Sequence, residues 1–109
     1  MNEIFIVRDA MLMVLPKAVY HYFAPEKTKA PYIVWAEDGP GDTVHAGNRM
    51  AGQVIQGSID YFTNKEYDPV VDRIQRALSV KQIAFHLSSI QHEPETRLIH
   101  YEWIWEVAT

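Results

Sequence analysis

Ile83-Ala84-Phe85-His86-Leu87-Ser88 and Ile99-His100-Tyr101-Glu102-Trp103-Ile104-Trp105-Glu106-Val107 decide the fold, with His92-Glu93-Pro94-Glu95-Thr96 between them. In the first run Ile83, Phe85 and Leu87 alternate with Ala84, His86 and Ser88. In the second, Ile99, Tyr101, Trp103, Trp105 and Val107 alternate with His100, Glu102 and Glu106. A period of two is the signature of strands with one face buried. A charged, proline-containing break between two such runs predicts an antiparallel hairpin. With both apolar faces on one side, the expected register sets His92 opposite Thr96 across a Glu93-Pro94-Glu95 loop. It also sets Phe85 opposite Trp103 and His86 opposite Glu102. A one-residue slip would expose both tryptophans, at a cost of about several kcal/mol on the buried-area scale, so the pattern specifies its own parity.

Upstream of the hairpin, Asp68-Pro69-Val70-Val71-Asp72 reads as a helix start. Asp68 can accept from free backbone amides, and Pro69 sits where no amide donor is needed. Val70, Ile74, Ala77 and Leu78 then make one apolar stripe, leaving Asp72, Arg73 and Arg76 outside. Gln53 to Phe62 alternates, with Ile55, Gly57, Ile59 and Tyr61 on the inward face, and predicts a half-buried strand. Pro31 to Glu37 is a short β-branched and aromatic run that predicts another strand. Between the two, residues 38–49 hold three of the five glycines and no hydrophobic period, and predict a loop. Ile4, Val7, Met11 and Val14 or Leu15 fall at helical spacing before Pro16 and predict an amphipathic first helix. Residues 18–25 are aromatic-rich and predict a covered stretch without a defined conformation. The order helix, strand, strand, helix, strand, strand implies an α+β domain. Its expected form is a mostly antiparallel sheet of about four strands, with both helices on the face bearing Trp103 and Trp105.

Composition narrows the function classes. A chain of 109 residues without a Gly/Ser-rich or Pro-rich linker is expected to be a single domain spanning 1–109. Apolar residues at 48% and charged residues at 22% argue for a packed core and against disorder. Six Tyr, four Phe and three Trp are more large rings than a small core easily hides, which points to an interface. With no cysteine, disulfides, zinc-thiolate sites and thiol nucleophiles are excluded together. The N-terminal residues lack a basic segment before an apolar one, and no apolar run is long enough to span a bilayer, so neither a signal peptide nor a membrane span is expected. A net charge of −4 with scattered Lys and Arg gives no phosphate-gathering stripe.

The side chains that carry chemistry elsewhere form weak patterns here. His86 and Glu102, as expected cross-strand neighbours, could act as an acid/base pair, and His100 could join them around a metal. A solvated polar face explains the same residues with no further assumption, since nothing nearby supplies a nucleophile. Gly39-Pro40-Gly41-Asp42 lacks the spacing of a phosphate loop and reads as a turn. The Tyr20, Tyr22, Phe23 cluster and the Tyr101, Trp103, Trp105 ladder could stack bases, but acidic neighbours oppose a phosphate backbone and favour a core role. No catalytic residue, cofactor or metal ligand is therefore assigned.

Residues 59–78, Ile59-Asp60-Tyr61-Phe62-Thr63 through Asp68-Pro69-Val70-Val71-Asp72-Arg73-Ile74 to Ala77-Leu78, resemble the strand-then-helix segment of small tail completion or tail terminator proteins of long-tailed phages and prophages. Residues 97–107 resemble the aromatic and acidic hairpin with which those proteins end. The resemblance implies a non-catalytic structural subunit of a ring, typically a hexamer, that caps the tail tube and meets the major tail protein and the head connector. DNA would pass through the lumen without specific binding. Assembly would take place in the bacterial host cytoplasm, and the mature location would be the virion tail or neck. For docking residues the expectation falls on the Gly/Asp loop, at Asp38, Asp42, His45 and Arg49, because a rigid sheet presenting a loop is a common binding layout. A small ligand-binding or regulatory α+β domain is the alternative.

Overall fold

The structure of the chain, a computed structural model, describes residues 1–41 and 53–109. After a 3-10 turn at Asn2–Ile4, helix α1 spans Phe5–Val14. Val7, Ala10, Met11 and Val14 are its buried stripe, three or four residues apart as one helix face requires. Leu15 leaves the helix at φ −133 because the following Pro16 disfavours the helical region for the residue before it. Strands β1 (Val19–His21), β2 (Tyr32–Pro40) and β3 (Val54–Thr63) follow, then helix α2 (Val70–Val80) and strands β4 (Ala84–Glu93) and β5 (Leu98–Ala108).

The five strands form one sheet in the order β1-β2-β3-β5-β4, antiparallel throughout except for parallel β1 and β2. The α+β class and the mostly antiparallel sheet agree with the sequence reading, and the fifth strand is β1. Three residues are too few to show a period, and β1's pairing with β2 joins residues fourteen apart, Val19 to Ile33. Strand β2 also runs further than expected. A bulge between Glu37 and Gly39, with Gly39 at φ 156, carries the pairing on to Pro40 opposite Ile55.

Helix α2 begins as its sequence dictates. One Asp68 carboxylate oxygen accepts from the Val70 amide at 2.9 Å, and Pro69 already has helical dihedrals. It ends in a Schellman arrangement built on a non-glycine residue: Gln82 stands at φ 58, its amide donates to the Ser79 carbonyl, and the Ile83 amide donates to Leu78. Ile74, Ala77 and Leu78 of α2 and the α1 stripe pack on Ile33, Trp35, Ile55, Ile59, Tyr61, Trp103 and Trp105. Both helices therefore lie on the tryptophan face. The indole N–H of Trp105 donates to the Ser58 carbonyl at 3.0 Å and that of Trp103 to Gln75 at 3.2 Å, so neither buried donor is wasted. Gly57 lies under the Trp105 ring and beside the Ala36 carbonyl, where a Cβ would meet both at impossible range.

The hairpin forms, but in a different register. Phe85 pairs with Trp105, His86 with Ile104 and Leu87 with Trp103; beyond a bulge at Ser88, Ser89 pairs with Glu102 and His92 with Ile99. The turn is Pro94 to Arg97, closed by the Arg97 amide on the Glu93 carbonyl at 2.8 Å with Arg97 at φ 60. A turn residue in the left-handed region was not expected of arginine, and moving the turn moves every pairing behind it. Near Phe85 the displacement is an even number of residues, so the tryptophans keep their inward side.

Candidate interaction surfaces

The sheet has one face under the helices. Among the described residues, only the segment from Tyr22 to Thr28 reaches over the other face, at its β1 end. Across that open face the register sets aromatic rings side by side. The Tyr20 and Tyr32 centroids are 6.4 Å apart, Tyr32 and Phe62 4.7 Å, and Phe62 and His100 4.3 Å. His100 Nε2 hydrogen-bonds Asp60 Oδ1 at 2.6 Å. That bond raises the imidazole pKa against the opposing pull of burial, and the charges of Asp60, Glu102 and Glu93 add to the rise. In the sequence the row is hidden behind the inward alternation of β3 and β5. Its signal was there: Tyr32, Val34 and Phe62 are large apolar residues at positions where a one-sided strand would be polar.

Carboxylates surround the row. By alternation Asp60, Glu93, Glu102 and Glu106 project from this face, which carries no Lys or Arg on its strands, and Asp38, at the bulge, lies within reach of the Asp60 charge. Burial raises the Asp38 pKa, and the nearby charges of Asp60 and Glu37 raise it further. Under the Tyr22 to Thr28 segment, a groove of about 510 Å³ is lined by Phe23, Pro25, Tyr32, Asp60, Phe62 and His100.

The acid/base pair expected from His86 and Glu102 does not form. The two-residue displacement gives His86 to Ile104, the bulge gives Glu102 to Ser89, and His100 is committed to Asp60. Among the described residues no group of three His, Asp or Glu side chains is placed to hold a metal. Of the four expected docking residues, Asp38 lies in strand β2 and not in a loop, because the bulge extends the pairing past it. Asp42, His45 and Arg49 lie outside the described residues.

Another close set of polar groups is internal. The other Asp68 oxygen accepts from the Tyr61 and Thr63 hydroxyls, both at 2.7 Å, while Tyr61 and Thr63 are buried. Burial alone would raise the Asp68 pKa, but the Tyr61, Thr63 and Val70 hydrogen bonds outweigh it and hold the carboxyl below its usual range. Burial and the bond to Asp68 push the Tyr61 phenol up. This set ties β3 to the start of α2. At the helix layer, Met13 and Val80 are 59% and 65% exposed and flank a notch of about 190 Å³ that Arg73 and Arg76 also line. Elsewhere Phe23 is 83% and Tyr67 95% exposed, and Leu87 and Ile90 stand out from the edge strand β4.

No protein-family model matches the chain, and no curated protein sequence matches it. Among solved structures, a chain from the virion of a native gene transfer agent particle has a similar arrangement. The two share 16% identity over 94% of this chain and 92% of that one, with a TM-score of 0.49, a likeness too distant to bear on function.

Proposed function

We propose that the chain is a structural subunit of a long-tailed phage or prophage particle. In this reading it is a tail completion protein that closes into a ring at the head-proximal end of the tail tube, between the major tail protein and the head connector. The observation that carries the reading is the distribution of exposed apolar side chains. Phe23 on the segment over the open face, Met13 and Val80 on the helix layer, and Leu87 and Ile90 on β4 stand at separate places. Single apolar side chains are common on the surface of monomers, and a subunit with neighbours on more than one side is one way to cover several of them. Size fits as well. Six copies set side by side by their 24 Å dimension enclose an opening on the order of 20 Å, enough for a DNA duplex.

A second reading, a small ligand-binding domain, is favoured by the groove beneath Tyr22 to Thr28. Absolute mass by light scattering over a concentration series separates the two. A closed species near six subunits supports the ring. A strict monomer at every concentration, both alone and with tail tubes present, refutes the ring and leaves the groove as the functional feature.

A further inference from the structure

We propose that the open face of the sheet is the seat for the helix layer of a second copy of this chain, so that neighbours in the assembly stack sheet against helices, head to tail. The proposal rests on the ring reading above and names the two surfaces that meet in it. The first surface is the part of the open face that the Tyr22 to Thr28 segment does not reach, where Ile104 is half-buried and lines a notch of about 310 Å³ with Ala84, His86 and Glu106, whereas Tyr32, Val34 and Phe62 lie in the groove beneath the segment. Carboxylates predominate on its strands, with Asp60 paired to His100 and with Asp38, Glu102 and Glu106 in no ion pair among the described residues. The second surface is the groove between α1 and α2. Its floor and walls are Val14, Ala77, Met13 and Val80, and its charge comes from Arg73 and Arg76. Arg73 donates to the Val14 carbonyl at 3.2 Å, and neither arginine forms an ion pair among the described residues.

The two surfaces complement each other in both respects that matter. Protruding Met13 and Val80 meet Ile104 and the notch beside it, and guanidinium groups meet the carboxylates of Glu102 and Glu106, an environment that suits arginine by pairing. Asp38, crowded by Asp60 and Glu37, is relieved when a cation arrives. Because the two surfaces differ and lie on opposite sides of the domain, each copy offers one to each neighbour. That makes a heterologous contact, the kind that closes into rings.

The absence of cysteine makes the test clean. Val80→Cys and Ile104→Cys are prepared separately, each is confirmed by circular dichroism to fold, and both are treated with a short flexible bis-maleimide, alone and mixed. The expected result is covalent dimer in the mixture and little in either protein alone. Efficient dimer from Val80→Cys alone means helix-to-helix contact and overturns the proposal. An assembly of ring mass without the mixed product overturns this interface and leaves the ring reading standing. A monomer at every concentration overturns both. In parallel, Arg73→Glu with Arg76→Glu should raise the concentration of half-assembly by about tenfold or more, through like-charge contact with the open face. An unchanged midpoint overturns the charge pairing.

Discussion

Replacing Asp68 removes a side chain that serves both the sheet and the start of α2. In Asp68→Ala three donors lose their acceptor: the Val70 amide and the Tyr61 and Thr63 hydroxyls, the last two in the interior. Loss of a helix cap costs about 1 kcal/mol, and each buried hydroxyl left without a partner costs about 1–3 kcal/mol, so the total is about 3–7 kcal/mol. That is a large part of the roughly 5–15 kcal/mol a domain possesses, and it lowers Tm by at least about 12 °C. Asp68→Asn keeps the shape and one good acceptor, and should cost about 1–2 kcal/mol. The assay is urea unfolding followed by tryptophan fluorescence, with Trp103 and Trp105 as reporters from within the core. The folded-state pKa of Asp68 is depressed, so its contribution is fully present above the unfolded value near 3.8 and is lost as pH falls through the folded one. The gap between wild type and Asp68→Asn should therefore be constant near neutrality and narrow below about pH 4. Equal stabilities for wild type and Asp68→Ala at pH 7, or a gap that widens on acidification, refutes the reasoning.

Gly57→Ala should destabilise by about 1–3 kcal/mol or more, since the added carbon meets the Ala36 carbonyl and the Trp105 ring; thermal unfolding reads it. Gln82→Gly should stabilise by about 0.5–1 kcal/mol, because the Schellman position at φ 58 is strained for any residue with a Cβ, and denaturant midpoints will show the sign. His100 has a raised pKa in the folded state, so its bond to Asp60 stabilises below the unfolded value near 6.5 and fades as pH rises through the folded one. Unfolding curves of wild type and His100→Gln should therefore converge between mildly acidic and mildly alkaline pH, with a difference of at most about 1 kcal/mol.

The sequence made the faces legible and left the pairings obscure. Alternation in Gln53 to Phe62 and in Ile99 to Val107 reports which side chains point inward, because burial is set by parity and parity survives any even displacement. Asp68-Pro69 announced α2 because an acceptor and a pre-set φ act within three residues of each other. What stayed hidden depends on single backbone conformations. Arg97 at φ 60 moved the hairpin turn, the bulge at Glu37 to Gly39 carried β2 on to Pro40, and β1 relies on a parallel partner across a long connection. The aromatic row was half-visible, since Tyr32, Ile33, Val34 and Trp35 form an unbroken apolar run that serves two faces at once.

This division between faces and pairings also bears on which functions the chain can support. A catalytic pair requires two named side chains within about 3 Å, so it depends on register, and the displaced hairpin was enough to separate His86 from Glu102. An assembly surface requires only that a face be apolar with one sign of charge, so it depends on parity. The open face keeps Asp60, Glu102 and Glu106 together with Tyr32, Phe62 and Ile104 under any even displacement of β5. A function built on faces is also one that tolerates sequence drift, because conservative changes preserve a pattern more easily than a distance. Substituting Ile104→Val should thus leave assembly nearly unchanged, whereas Ile104→Lys, which puts a cation where Arg73 and Arg76 of a neighbour are proposed to sit, should prevent it while leaving the monomer folded; sedimentation of both variants decides the matter, and assembly by Ile104→Lys at wild-type concentrations refutes the role assigned to this face.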